Sequence, residues 1–306
     1  MKPNKVLKRP QLTFIDLCCG GGGASLGISQ AGLDGVLGID FAQKAVECHI
    51  ANFPQTLVLE KRMEQVSAEE IFRLTGLEKG QLDLLHCSWP CQLYSQANAK
   101  FCKKPPEDIN RNFNHFVDKI KDLQPRSFTG ENVDGVVTGA KKPYYNEMIK
   151  KLNELGNYDF KFKLVTAPYY GVYQDRRRLF LIGKRRDVNP GVEIQFPEPN
   201  IEGARLLRLK HAIPEAKFFR PGQFKAKAKS SNHYMCTITA SNQTELFIDG
   251  KWELLSVDHA KLLMGFPADF RMVSKSRSVN MRILGNAVCP PVMRKIAETI
   301  KQTILK

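Results

Sequence analysis

The sequence predicts an α/β protein: a parallel sheet wrapped by helices, followed by a smaller irregular module. Two observations carry this. Across the first 183 residues, short apolar runs alternate with amphipathic helix-length stretches, the pattern of repeated βαβ units. After Gly183 helical periodicity weakens and four prolines fall between Pro190 and Pro214. There, residues 184–229 carry eleven Lys or Arg against five Asp or Glu.

In chain order the predicted strands are Leu12–Leu17, Gly35–Asp40, Gln81–Cys87, Arg126–Val133, Lys161–Thr166 and Arg178–Gly183. Each is a short apolar run bounded by Gly, Pro or charged residues. Ser25–Ala31, Ala42–Asn52, Ala68–Leu74, Asn112–Leu123 and Tyr144–Leu155 each place apolar residues on one helical face. Met235–Ala240 and Glu245–Ile248 read as strands of the second module. Ser256–Gly265 reads as a helix stopped before Pro267, and Pro290–Lys301 as the last helix.

Composition narrows the function. The chain has 306 residues and a formal net charge of +15, which points to an acidic partner, most simply nucleic acid. No apolar run approaches the ~20 residues that span a bilayer, and Met1–Pro10 is polar and basic, unlike a secretory leader. Eight scattered cysteines with no CxxC pair read as reduced thiols, so a cytoplasmic location is expected. His86, Cys87 and Cys91 lie close in sequence without a second ligand cluster, so no metal is expected.

Four segments carry chemistry. The first, Phe14 to Gly27, is a strand, a glycine turn and a helix start, a place where backbone approaches a ligand closely. It lacks the GxGxxG pyrophosphate fingerprint, yet Asp40 closes the next strand where a ribose hydroxyl would sit. That combination points to an adenosine-type cofactor such as S-adenosylmethionine; a purely structural turn stays open on this segment alone. The second, Ser88-Trp89-Pro90-Cys91-Gln92, places a cysteine just past a buried strand, where a thiolate nucleophile or an inert buried thiol both fit. The third ends a strand in Glu131-Asn132, a carboxyl placed for acid chemistry or for capping. In the fourth, Gln174, Arg176 and Arg178 share one strand face, a floor for an anion or a base.

Together, and in order, these segments resemble the C5-cytosine DNA methyltransferase family over nearly the whole chain. Asp16-Leu17 with Gly20, Gly22 and Gly23 is similar to its cofactor loop, Pro90-Cys91-Gln92 to its nucleophile motif, and Glu131-Asn132-Val133 to its acid motif. Gln174-x-Arg176-x-Arg178 is similar to its glutamine–arginine motif. Ser256–Phe270 and Gly285–Pro291 resemble its last two motifs.

The resemblance implies a Rossmann-like S-adenosylmethionine-dependent methyltransferase sheet with a target-recognition domain. The implied boundaries are 1–183 for the catalytic domain, 184–274 for DNA reading and 275–306 for a segment returning to the catalytic domain. Catalytic roles fall to Cys91, Glu131, Arg176 and Arg178. Cofactor contacts fall to Asp16, Cys18, Gly20, Gly22, Gly23, Asp40, Phe41, Met63, Ser88, Pro90, Asn286, Ala287 and Val288. Gln92, Ser95, Asn132 and Gln174 would bind substrate. The implied substrate is double-stranded DNA with its cytosine flipped out, handled by a monomer without an obligate protein partner or a membrane. A restriction-modification or phage-protection setting follows from the same resemblance.

Three features depart from the family pattern. Cys18 stands where an aromatic commonly lines the methionine moiety, and Glu60-Lys-Arg-Met63 replaces an Asp-Ile pair. Ser88-Trp89 replaces a glycine–proline lead-in. An RNA methyltransferase of the same family, a non-catalytic DNA-binding relative and a nicotinamide oxidoreductase are the rival readings.

Overall fold

A computed structural model describes residues 11–90, 110–137, 142–222, 226–241 and 243–306. The first half runs β1 (Thr13–Leu17), α1 (Gly23–Gln30), β2 (Asp34–Asp40), α2 (Gln43–Asn52), β3 (Leu57–Glu60), α3 (Ala68–Thr75) and β4 (Leu84–Cys87). It continues through α4 (Arg111–Leu123), β5 (Ser127–Val133), α5 (Lys142–Asn153), β6 (Tyr158–Thr166), β7 (Gln174–Asp175) and β8 (Arg177–Arg185). Seven strands form one sheet in the order β3-β2-β1-β4-β5-β8-β6.

The expected parallel sheet is mixed. β3, β2, β1, β4 and β5 are parallel, whereas β8 runs antiparallel to both β5 and β6. The reason lies in the connection. Parallel neighbours need a crossover of a dozen or more residues, and the link from Thr166 to Arg177 holds only one short helical turn and β7. A direct return is the geometry left to it. β3 was not expected from the sequence; its four residues lie at the sheet edge, with exposed ends and half-buried centre, and show no alternation.

Strand alternation splits the core into two layers. Phe14, Leu84, Val165, Phe180 and Ile182 face α1 and the C-terminal helix. Ile15, Leu37, Leu85, Phe128 and Leu181 face α4 and α5, where Phe113, Phe116, Ile120 and Leu152 are buried. Trp89 joins the second layer, its ring 5.0 Å from Phe113 and 6.2 Å from Phe116.

Beyond β8 come α6 (Ile201–Ala204), α7 (Leu209–Ala212), β9 (Phe218–Arg220), β10 (Lys229–Ser230), β11 (Met235–Cys236), β12 (Glu245–Ile248) and β13 (Lys251–Leu254). β10-β9-β12-β13 form a small antiparallel sheet, so this stretch is more regular than its proline content implied. The strand expected over Met235–Ala240 shrinks to β11, which pairs in parallel with β7. α8 (Val257–Met264), α9 (Arg277–Asn286) and α10 (Pro290–Thr303) close the chain. Ser256 caps α8 by accepting the His259 N–H, and Gly265 ends it in the left-handed region. α10 packs across α1, bringing the two ends of the sequence together.

Candidate active site

The carboxyl ends of β1, β2, β4 and β5 point to one edge of the sheet, and the loops there carry most of the residues singled out by sequence. After β1 the chain turns sharply: Cys18 and Gly20 both have positive φ, and Gly22 (φ 96°) forms the N-cap of α1 in the left-handed region. Gly23 lies so close to the C-terminal segment that an added Cβ would sit 2.5 Å from the Val288 carbonyl oxygen. That contact is why Asn286, Ala287 and Val288, in the turn between α9 and α10, share the glycine loop's neighbourhood. Asn286 is exposed there and Val288 buried.

Asp40 braces the same loop. One carboxylate oxygen accepts the Gly20 N–H (2.8 Å), the other the Ala42 N–H (2.9 Å). Burial raises its pKa, and those N–H groups pull the other way. Phe41 beside it is 53% exposed, an unusual position for so apolar a ring. The Arg62 guanidinium lies 4.4 Å from its centroid. Met63 is buried next to this pair in sequence. A glycine turn at a helix start, an exposed aromatic face and a strand-end carboxylate are a donor set suited to an adenosine moiety.

Asp16 sits deeper than a ligand contact requires. It is 1% exposed, accepts the Ser25 hydroxyl at 2.6 Å, and burial pushes its pKa up to about 7. His49 reaches the same hydroxyl at 3.0 Å, and burial lowers its pKa to about 4. Sequence reasoning missed this Asp16–Ser25–His49 network. The one signal for it was Ser25, a polar residue in the first turn of α1 among Gly23, Ala24 and Leu26.

β4 ends at His86-Cys87. His86 is fully buried, its pKa pushed down to about 3 by desolvation against an opposing backbone contact from Thr129, and its Nε2 lies 2.9 Å from the Ser88 hydroxyl. Trp89 and Pro90 complete the described part of this segment; Cys91, Gln92 and Ser95 lie outside the described residues. Asn132 ties the segment to β5: its side-chain N–H donates to the Trp89 carbonyl (2.9 Å), and its Oδ1 accepts the Val133 N–H (2.8 Å).

Glu131, on the last turn of β5, is buried and ion-paired, with Oε1 3.1 Å from Arg178 Nε. Desolvation raises its pKa while Arg178 and then Arg176 oppose the shift, so the carboxyl holds its proton more readily than an exposed glutamate. A small cavity adjoins it, lined by Arg176, Arg178, Phe180, Val288 and Cys289 among others.

Gln174 and Arg176 are placed differently from the expected open floor. Gln174 donates to the Leu263 carbonyl (3.2 Å) and accepts the Ile238 N–H (3.1 Å). Arg176, 3% exposed, donates to the carbonyls of Ile238, Gly285 and Ala287 at 2.9–3.2 Å. Of the three polar side chains on that face, Arg178 is the one turned to Glu131. The expected continuous strand is broken at Arg176, between β7 and β8, where its N–H bonds the Gln174 carbonyl, and the first two side chains hold main chain.

A family model described as C-5 cytosine-specific DNA methylase matches residues 12–217 and 206–302. The chain belongs to this family. Among its relatives, the type II methyltransferase M.FnuDI of Fusobacterium nucleatum is 27% identical over 341 aligned positions, covering 96% of this chain and 95% of that protein. M.XorII of Xanthomonas oryzae pv. oryzae is 34% identical over 188 residues; that match spans 60% of this chain and 42% of the relative's length. The fold is shared with a protein assigned as a DNA modification methyltransferase encoded within an E. coli prophage (TM-score 0.72, 21% identity, 97% of this chain and 100% of that one). It is also shared with a DNMT2 variant of Spodoptera frugiperda (TM-score 0.67, 19% identity, 94% and 99%). These matches agree with the Rossmann-like sheet. Among the described residues no helix is long and apolar enough to cross a membrane, and no group of three or more His, Cys, Asp or Glu could hold a metal ion.

Proposed function

We propose that this methylase transfers a methyl group from S-adenosylmethionine to C5 of a cytosine flipped out of double-stranded DNA, as a type II modification enzyme. The observation that carries the reading is the Glu131–Arg178 pair at the end of β5, beside the Asn132 contact to the segment that enters Pro90-Cys91. Phe41, Asp40 and the Gly20–Gly23 turn, closed by Ala287 and Val288, would hold the cofactor. Bound there, S-adenosylmethionine supplies an electrophilic methyl.

The residues of the chain do the rest. C5 of cytosine is a poor nucleophile. Attack of the Cys91 thiolate on C6 forms an S–C6 bond and moves electron density onto C5. Glu131, whose raised pKa favours a retained proton, donates to ring N3 as that density builds. After methylation a solvent water takes the C5 proton, the S–C6 bond breaks with its electrons returning to sulfur as the thiolate, and the N3 proton goes back to Glu131. Arg178 keeps Glu131 oriented. Arg176 and Gln174 act at one remove, fixing the turn between α9 and α10 together with Ile238 and Leu263. C5 and C6 are out of reach inside a duplex, so the base must leave the stack. The basic 184–229 stretch supplies phosphate contacts.

The decisive experiment is label transfer from S-adenosylmethionine to DNA and to RNA by the wild type and by Cys91→Ser. Transfer to DNA that the variant loses supports the reading. Undiminished transfer by Cys91→Ser, or transfer to RNA alone, overturns it.

A further inference from the structure

Two arginines beyond β8 lie over aromatic rings, and they differ in what their guanidinium groups are left to do. Arg220 on β9 sits 4.2 Å from the Trp252 ring centroid, and its Nη1 pairs with Glu245 at 3.1 Å. Its charge is spent within the small sheet. Arg208, just ahead of α7, sits 3.9 Å from the Tyr234 centroid. Among the described residues no carboxylate pairs with it, so its planar fork of N–H donors is stacked but uncommitted. Both Arg208 and Tyr234 are half-buried.

The stack is fixed from both sides. Arg208 has extended backbone (φ −81°, ψ 155°), and the next two N–H groups, of Leu209 and Lys210, donate to the His233 and Ser231 carbonyls at 3.0 Å each. Leu209 is fully buried and anchors the turn in the core. Tyr234 donates its hydroxyl to the Ala204 carbonyl (3.1 Å). Its neighbour Met235 is buried and pairs with Gln174 of β7, which leads on to Arg178, the partner of Glu131. The stacked pair is therefore joined by a short, paired segment to the edge of the sheet that carries the proposed acid. A free arginine side chain gives up much rotamer freedom on binding. Here the ring and the two backbone bonds restrict it beforehand, which is preorganisation for a ligand of fixed shape.

The chemistry of the fork selects the ligand. A guanidinium has N–H donors and no acceptor. In the major groove guanine shows two adjacent acceptors, O6 and N7, whereas adenine sets an amino donor beside N7, cytosine shows an amino donor, and thymine one acceptor beside a methyl group. A donor fork held in one plane is satisfied by guanine and left partly unpaired by the other three. Phosphate oxygens also accept from arginine, but they fix position rather than sequence. The exposed Arg205 and Lys210 on either side supply cations for that purpose with no ring beneath them. We propose that Arg208, held in plane by Tyr234, reads one guanine of the methylated sequence through paired hydrogen bonds to O6 and N7. Arg208 is then a specificity-determining residue, distinct from the phosphate-contacting cations of the 184–229 stretch, and Tyr234 is its positioning residue.

This inference rests on the cytosine-methylation reading, and its test separates the two. Bisulfite sequencing of plasmid DNA treated with the wild type and S-adenosylmethionine gives the methylated sequence. Single-turnover transfer is then measured on duplexes in which one guanine of that sequence at a time is replaced by 7-deazaguanine, which still pairs with cytosine but lacks the N7 acceptor. With the wild type, replacing one particular guanine should slow transfer about tenfold. Arg208→Ala and Arg208→Gln should be slower on the natural duplex and respond less than about twofold to that same replacement, while the effects of the other guanines persist. Melting temperature and S-adenosylhomocysteine affinity should match the wild type. Two variants guard against one that does not fold. The guanine reading is overturned if no guanine is sensitive in the wild type, or if the folded variants keep the wild-type response at every guanine. It is also overturned if they lose affinity equally on all sequences, with a salt slope lower by about one, which marks a phosphate contact. No methyl transfer by the wild type overturns the underlying reading instead.

Discussion

Replacing Arg176 by methionine keeps most of the side-chain stem and removes the guanidinium that holds the carbonyls of Ile238, Gly285 and Ala287. Those carbonyls lie in three places: the segment just after β11, the end of α9 and the turn into α10. Each buried carbonyl left without its donor costs about 1–3 kcal/mol. One guanidinium serves all three, so the losses overlap, and the total should be about 2–5 kcal/mol. Against a usual domain stability of about 5–15 kcal/mol, that is a large fraction. Urea unfolding followed by circular dichroism should show the unfolding free energy falling by that amount, and the midpoint by that amount divided by the slope m, with m little changed. Arg176→Lys should fall between, because an ammonium can reach some of the three carbonyls but lacks the fork that spans them. If Arg176→Met unfolds within about 1 kcal/mol of the wild type while losing DNA affinity, Arg176 is a substrate contact and the clamp is wrong.

Glu131→Gln removes the proton donor while keeping the side-chain shape. Methyl transfer in a single turnover should fall about 10²–10⁴-fold with the fold intact by circular dichroism; a fall under about threefold would exclude Glu131 as the acid. Gly23→Ala pushes a methyl to within 2.5 Å of the Val288 carbonyl, so it should cost about 1–3 kcal/mol and weaken S-adenosylhomocysteine binding, both read by thermal shift with and without ligand. Asp16, raised from 3.8 to about 7 in the fold, favours the folded state when protonated, so its contribution is full below pH 4 and is lost as pH rises to 7. Moving a carboxyl that far corresponds to about 4 kcal/mol. Asp16→Asn should therefore gain stability on the wild type between pH 4 and pH 8 in urea titrations, and a difference that stays flat with pH would contradict the assignment.

Legibility tracked distance along the chain. β1, β2, β5 and α8 could be read to within a residue or so because each couples a local pattern to a local stop: Gly after β1, Asp40 after β2, Ser256 and Gly265 around α8. Glu131 and Asn132 were legible for a related reason, being polar residues where an apolar strand ends. The antiparallel course of β8 was not, since orientation follows from the length of a link rather than from the strand's own residues. Nor was the task of Arg176, whose acceptors lie 62 to 111 residues further along the chain. A strand-face argument can say which side such a guanidinium occupies. It has no access to what the rest of the chain places there.

The two faces of the sheet divide the work at the site. On one, Trp89, Phe113, Phe116 and Phe128 pack edge and face against one another in a dry layer directly beneath the point where the Pro90 segment leaves β4. Asn132 then fixes the Trp89 carbonyl from β5, so the segment's departure is set by packing and by a directed hydrogen bond together. On the other face, at the same strand ends, Asp16, His86, Thr129 and Glu131 are all polar and all buried. Burying such side chains is costly unless they are hydrogen-bonded, and Asp16, His86 and Glu131 each have a polar partner at 2.6–3.1 Å. The rigid apolar face fixes Trp89 and so the point at which the chain leaves β4. The polar face opposite it is held by its own partners: Ser25 on Asp16, Ser88 on His86 and Arg178 on Glu131.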